Sequence, residues 1–487
     1  MKMLPEMPLL AWLRRRLVDE GVEEGVCNTP LREGLFSVTL VVPQGLCPLP
    51  VLRTDFPQPC FYWHRPEQQH RVVGLGEAAR CVATGENRFA ELKQQLAQLD
   101  GNWHKVGEAM PIAAMTGYAF DATDGDEASE WQGFPNALLT VPELVLEQRE
   151  QRTTLTLTAR LGGKAWQEVW VRWQELAVGL VAEPSGSYPS PQPRTQPLSA
   201  SSLKGRGAKD EEPLAPPLPL RERGLGGEGF PPWSTLVNQA KATLHHGELR
   251  KLVVARSTCQ PLTPGVDAAL LMRRMQQHYR SCTLLAVSFG SGWLLAATPE
   301  RLVSLRDGRV SCDALAGTIA RKHGRANFPA RMREAEHPPV VAAIRQALTK
   351  VCSEVSVGQQ MLTLSLPHLQ HLWTQVSGKA LPNIHVLDLL ECLHPTPAIN
   401  GFPATPARQW LRTHGNHRRG WYSGGVGWLR HDGEGELSVL LRCALLHDGE
   451  AHLFAGAGIV ADSDPQQEWD ETELKLDTLR RLLDAGN

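Results

Sequence analysis

Residues 184–232 read PSGSYPSPQPRTQPLSASSLKGRGAKDEEPLAPPLPLRERGLGGEGFPP, and this stretch limits every fold the chain can adopt. It is dominated by Pro, Gly, Ser and charge, and holds too few apolar side chains to line a core. The composition predicts a disordered linker or insertion, cut first by proteases and removable with little effect on activity or melting temperature. What folds must then fold from 1–183 and 233–487. The first part alternates strand-like runs (LFSVTLVV, TLTLTARL) with loops and Trp-rich patches. The second mixes helices with runs such as RKLVVAR, TLLAVSFG, WLLAAT, LSVLLRCALL and HLFAGAGIV. Many of these lie close together across short turns, which favours antiparallel pairing over βαβ units and predicts an α+β fold.

Bulk properties exclude several function classes. The 487 residues carry 50 Lys+Arg against 52 Asp+Glu, a net charge of −2, so no field of one sign invites nucleic acid or anionic lipid. There is no run of 18 apolar residues to span a membrane. The start, MKMLPEMPLLAWLRRRLVDEG, reads as an amphipathic helix and not as a cleaved signal peptide. Ten cysteines are scattered without a CxxC pair, which fits reduced thiols in the cytoplasm better than a disulfide framework or a zinc site.

The C-terminal stretch GIVADSDPQQEWDETELKLDTLRRLL poses a chemical problem. Wound as a helix, it puts Asp470, Glu473, Asp477, Arg480, Arg481 and Asp484 on one solvated face. The opposite stripe, anchored by Leu479, Leu482 and Leu483, carries Glu468, Glu471 and Lys475 in its first turns. Most i,i+4 Glu–Lys pairs are merely exposed, but this one lies on the inward stripe. A second carboxylate source is MREAEHPPVVAAIRQAL, where Glu336 precedes a helix with the buried stripe Val340, Val341, Ile344 and Leu348. Pro338 and Pro339 predict that this helix breaks or restarts there. Three carboxylates that meet in a cleft need a cation, and oxygen-only ligation favours Mg2+ over zinc.

Other signals are weak one at a time. Glu300 follows Pro299 at a strand end, which is more often a surface turn. Lys251 stands before the apolar run Leu252–Ala255, where a lysine is usually solvated, and His394 in a Pro/Gly-rich loop is often only a cap. Ala316-Gly317-Thr318 and Gly456-Ala457-Gly458 read as small-residue turns whose backbone N–H groups can approach an anion. Neither is a phosphate loop.

Taken together, KLVVARS, TPERL, DALAGT, EH…VV, LHPTPAINGFP, GWYSGGVGW, LRCALL, FAGAGIVADSDP and EWDETELK stand in the order seen in chorismate-utilising enzymes. The chain closely resembles the isochorismate synthases of that family over 233–487. The resemblance is looser over 1–183, through CFYWHR, GYAFD and FPNALLTVPEL, and 184–232 looks like an insertion. The resemblance implies a chorismate-binding fold: large antiparallel β-sheets with helices outside and an active-site cleft between the layers. It implies that Lys251 is a base that activates water and Glu300 an acid for the departing hydroxyl. It makes Glu336 and Glu471 ligands of Mg2+, with Glu468 beside them. Tyr422, Arg442 and the Gly456–Gly458 backbone resemble the grip on a second substrate carboxylate, while His394, Thr318 and Lys475 line the family's pocket. Lys251 fits members that use water, since those that use ammonia carry Gln there. Salicylate-forming members share the Lys and remain the alternative, as does a siderophore role in place of the menaquinone supply that the long N-terminal part favours. A monomer without a glutamine amidotransferase subunit follows from the same resemblance.

Overall fold

The computed structural model describes residues 9–19, 34–42, 46–47, 49–52, 57–107, 111–124, 130–162, 166–178, 180–182, 230–290, 292–321, 328–330 and 332–484. Two large sheets dominate it. The twelve-stranded sheet runs, in spatial order, Gly401–Phe402, Lys251–Pro261, Glu450–Ile459, Cys443–His447, Gly292–Thr298, Thr283–Ser288, Cys60–Arg65, His70–Leu75, Leu144–Arg149, Arg152–Leu161, Gly34–Val42 and Trp103–Gly107. The ten-stranded sheet runs Cys352–Val357, Leu369–Ala380, Arg309–Ala320, Arg301–Arg306, Gly435–Val439, Gly425–Arg430, Ile112–Tyr118, Ala137–Val141 and Ala79–Ala83, with Leu362–Ser365 paired to Leu369–Ala380. Among the described residues of these sheets the pairing is antiparallel throughout, except between Gly34–Val42 and Trp103–Gly107.

Both halves of the chain build both sheets. Cys60–Arg65 joins Thr283–Ser288, and Ile112–Tyr118 joins Gly425–Arg430. The 1–183 and 233–487 portions are therefore parts of one folding unit. Most of 184–232 lies outside the described residues. Its last three residues, however, begin a helix, Phe230–His245. Pro231 and Pro232 suit a first turn, because the N–H groups they lack have no partner there in any case. The expected boundary at 233 is thus corrected to 230.

Strand alternation sends one set of side chains between the sheets: Phe61, Trp63, Met115, Leu138, Leu285, Leu294, Trp428 and Phe454 pack there. Helices cover the outer faces. Trp166–Ala177 and Ala268–His278 press Trp173, Leu271 and Met272 onto one sheet, with Leu13 and Leu17 of the Leu9–Asp19 helix. Arg88–Asp100, Phe230–His245, His337–Leu348 and Val386–Leu393 contribute Leu92, Val237, Ile344 and Leu390 to the second outer core. This is the expected α+β sandwich with helices outside. No described helix is long and apolar enough to cross a membrane.

The C-terminal helix spans Pro465–Asp484 and buries Leu476, Leu479, Leu482 and Leu483. Its expected solvent face is only partly solvated. Arg480 is buried and donates to Glu473 Oε2 at 2.6 Å. Glu473 also pairs with Arg256 of the Lys251–Pro261 strand, whose guanidinium stacks 3.7 Å above the Trp469 ring. A partner from another element decides the burial, and helical periodicity is blind to it. Glu473→Gln, which removes the carboxylate that Arg256 and Arg480 share and leaves Arg480 only the longer 3.4 Å contact with Asp477, is expected to lower stability by about 1–3 kcal/mol. Asp470→Asn, on the exposed side, should stay within about 0.5 kcal/mol. Equal urea midpoints for the two variants would show that the Arg256–Glu473–Arg480 cluster contributes nothing.

Candidate active site

Of the points where the chain passes from one sheet to the other, two are neighbours in space, and the pocket forms around them. At the first, Thr298 ends a strand of the twelve-stranded sheet and Arg301 starts one of the ten-stranded sheet. At the second, Val439 ends a strand of the ten-stranded sheet and Cys443 starts one of the twelve-stranded sheet. The crossings are tied together: Thr298 Oγ1 donates to Val439 O at 2.6 Å, and Val439 N to Glu300 O at 3.1 Å. Glu300 sits in the first crossing and Arg442 in the second. A general-purpose turn reading of PER missed this, because the crossing is a tertiary feature.

One pocket is lined by Lys251, Glu300, Ala316, Gly317, Thr318, Glu336, Tyr422, Arg442, Gly456, Gly458, Glu471 and Lys475, so twelve of the fifteen residues singled out from sequence converge. Lys251 is 6 % exposed, and burial holds its ammonium below the ordinary lysine range, with Glu336 opposing the shift. Glu300 is 2 % exposed, and burial pushes its carboxyl up to about 8, with Asp313 adding to the shift and Lys251 and Arg442 opposing it. A lysine pushed toward neutrality and a carboxyl that keeps its proton are the two states that base and acid catalysis need.

The small residues act through the Lys251–Pro261 and Glu450–Ile459 pairing, not through turns. Gly456 and Gly458 lie mid-strand, opposite Ala255 and Val253. A Cβ on Gly458 would stand 2.7 Å from Lys251 Cε and 3.3 Å from its Nζ. The glycine is therefore the floor on which the lysine lies. Gly458→Ala is compatible with the backbone but must displace the ammonium. We expect kcat to fall about tenfold or more with the melting temperature little changed; unchanged kcat would mean that the lysine position is immaterial. Ala457 points the other way, into the outer core, because strand side chains alternate, so it does not line the pocket.

Ala316–Thr318 also lies within a strand, with a register shift at Gly317, whose φ is +75°. A bulge of this kind needs glycine and re-aims the next side chain. Thr318 Oγ1 lies 3.2 Å from His371 Nδ1, and His371 Nε2 lies 3.3 Å from Arg442 Nη2. Arginine can only donate, so Nε2 accepts and Nδ1 carries the proton. Burial, then Arg442, holds His371 well below the usual histidine range, which keeps it neutral. Sequence reasoning missed His371; the only signal was one polar residue at an inward position of LQHLWTQV. Ser423, also in the wall, and Arg442 have φ of 62° and 51°. Left-handed backbone at non-glycine residues is costly, and these two of the chain's described examples face the pocket. Arg442 Nε is buried with no hydrogen-bond partner among the described residues, a donor prepared for an incoming anion.

Glu336 ends a π turn, Met332–Glu336, and the α-helix restarts at His337 with both prolines in its first turn, as the sequence predicts. Lys475 Nζ donates to Gly456 O at 2.6 Å and pairs with Glu471 at 2.7 Å. Glu468 is 5 % exposed and accepts from Ser463 Oγ at 2.8 Å. Burial, then Glu471, pushes it up to about 7. Glu468 is not in the pocket wall; it lies one turn before Glu471 on the same helix, close enough to feel its charge. Glu336, Glu468 and Glu471 do not bring three ligand oxygens within 4.8 Å of one another. Two wall carboxylates and a third one turn before Glu471 fit a hard ion that keeps several waters, as Mg2+ does, better than a dehydrated cage.

His394 is not in the wall. Its Nε2 donates to Phe120 O at 2.9 Å, and its ring packs 4.9 Å from that of Tyr118. Burial, then Arg88, pushes its pKa down to about 3. The expectation that it lines the pocket is corrected: the same motif instead lends the wall Ala398 and Ile399.

Residues 25–484 match the family described as chorismate binding enzyme. The chain belongs to that family. It is 31% identical over 442 residues, 88% of this chain and 86% of the other, to a salicylate biosynthesis isochorismate synthase of Pseudomonas aeruginosa. It is 25% identical over 433 residues to the isochorismate synthase MenF of Bacillus subtilis, covering 85% of this chain and 86% of that one. Among solved structures, the menaquinone-specific isochorismate synthase MenF of Escherichia coli superposes with a TM-score of 0.74 at 25% identity, over 97% of this chain and 98% of that one.

Proposed function

We propose that the chain is an isochorismate synthase. One observation carries the reading: a buried lysine below its usual pKa range and a buried glutamic acid raised to about 8 share a pocket with an arginine whose Nε has no hydrogen-bond partner among the described residues. Lys251 takes a proton from water as its oxygen bonds to C2 of the chorismate ring. The ring double bonds shift, the C4–oxygen bond breaks, and Glu300 delivers its proton to the departing hydroxyl, so water leaves as water entered. Arg442 and the Gly456 and Gly458 backbone hold one substrate carboxylate. Glu336 and Glu471, with Glu468 one turn before Glu471, would hold Mg2+, which neutralises the other carboxylate. The relatives' names support the reaction.

Incubation of the purified chain with chorismate and Mg2+ is expected to give isochorismate, a product of unchanged mass, without pyruvate. Equimolar salicylate and pyruvate would make it a salicylate synthase instead, and unconsumed chorismate would make it a binding protein. We assign the product to menaquinone supply, in line with the menaquinone-specific Escherichia coli relative. The Pseudomonas aeruginosa relative favours a salicylate route. A deletion strain that loses menaquinone but grows normally under iron limitation supports the first; the reverse phenotype supports the second. The reading includes a cytoplasmic monomer that works without an amidotransferase subunit.

A further inference from the structure

Beyond the pocket, Lys251–Pro261 runs beside Glu450–Ile459 as far as Glu450, where that strand begins after a hairpin at Asp448–Gly449 that joins it to Cys443–His447; the φ values of the turn are 49° and 78°. Such a two-residue turn fixes Glu450 as the first residue of its strand. Alternation then puts Glu450 and His452 on one face, and the register sets Cys259 directly across from His452. The side chains meet: Cys259 Sγ lies 3.3 Å from Glu450 Oε2 and 3.9 Å from His452 Nε2. The three ligand atoms all lie within 4.8 Å of one another, and no other His/Cys/Asp/Glu group of three among the described residues does this.

We propose that Cys259, Glu450 and His452 form a three-donor site for a divalent cation of the zinc class. Bonds of about 2.0–2.3 Å in a tetrahedron put ligand atoms roughly 3.3–3.8 Å apart, so the observed spacing needs little adjustment. A thiolate and an imidazole beside one carboxylate select zinc-like ions over Mg2+, and the site does not compete with Glu336 and Glu471 for their ion. Cys259 is buried while Glu450 is exposed. The cation therefore enters from solvent, and its fourth position stays open to water. On binding, the thiol proton leaves to solvent as the sulfur–metal bond forms, and His452 ligates as neutral imidazole. The bound ion would pin the register of the two strands that bring Lys251 and Gly458 into the pocket. The CxxC-free cysteine pattern concealed this site, because its ligands meet across a sheet and not along the chain.

The test is a Co2+ titration of the full-length, Mg2+-loaded protein followed by absorption. We expect one equivalent of Co2+ to produce thiolate-to-cobalt charge-transfer absorption with the visible bands of a tetrahedral ion, and one equivalent of Zn2+ to remove both. Cys259→Ser should abolish the charge-transfer absorption, and His452→Gln should weaken Co2+ binding at least tenfold. Co2+ held only by the pocket carboxylates gives no thiolate absorption. Its absence from wild type, or its persistence in Cys259→Ser, would overturn the proposal.

Discussion

Lys251→Ala and Glu300→Gln are each expected to lower kcat for chorismate isomerisation on the order of 10²-fold or more, the usual scale for a lost general base or acid. The fold should survive both, because each side chain faces the pocket and not a packed core. The pH profile separates the roles. Glu300 works protonated, and its pKa of about 8 means that kcat/KM falls as pH rises through that value. Lys251 works neutral, so activity falls on the acid side as it gains its proton. Stability carries its own signature. A carboxyl raised from 4.5 to about 8 in the folded state contributes stability that is fully present below about 4.5 and lost as pH rises through about 8. Glu300→Gln cannot ionise, so its melting temperature relative to wild type should climb between about pH 5 and pH 9. Near-normal turnover in either variant would remove that residue from the mechanism. An unchanged alkaline limb in the residual activity of Glu300→Gln would assign the limb to another group.

What could be read from sequence follows what is local. The inward placement of Glu468, Glu471 and Lys475 depends only on helical periodicity, and the structure agrees. The antiparallel sandwich followed from strands crowded between short turns. Features set by register or by a partner far along the chain were not legible. Gly456 and Gly458 were visible as small residues, but whether they turn or lie flat depends on the strand opposite. Gly317 forms a bulge only because Leu369–Ala380 pairs beside it. His371 looks like any strand histidine until Thr318 and Arg442 close on it. Arg480 and Glu473 were assigned to water because Arg256 lies more than two hundred residues upstream. His394 illustrates the opposite error: its motif drew it to the pocket, and packing against Tyr118 holds it behind the wall.

Glu471→Gln is expected to remove the Mg2+ dependence together with most of the activity. If Glu336 and Glu471 hold the ion and the ion holds a substrate carboxylate, metal and substrate bind cooperatively. In wild type, Mg2+ with chorismate should then raise the melting temperature more than the sum of either alone. Without metal, Glu471 is balanced only in part, by Lys475 at 2.7 Å, while Glu468 is crowded by it. The substitution therefore trades one ion pair for relief of one repulsion, and the metal-free melting temperature should change little. What it removes is a ligand, so the Mg2+-induced rise in melting temperature should shrink and kcat should fall at least tenfold at saturating Mg2+. Asp470→Asn, one position earlier but on the exposed side of the helix, should alter neither reading. Melting curves and Mg2+ titrations of turnover for the three proteins make the comparison. If EDTA leaves wild-type turnover intact, or if the two substitutions behave alike, the inward carboxylates orient Lys475 and Lys251 and hold no ion.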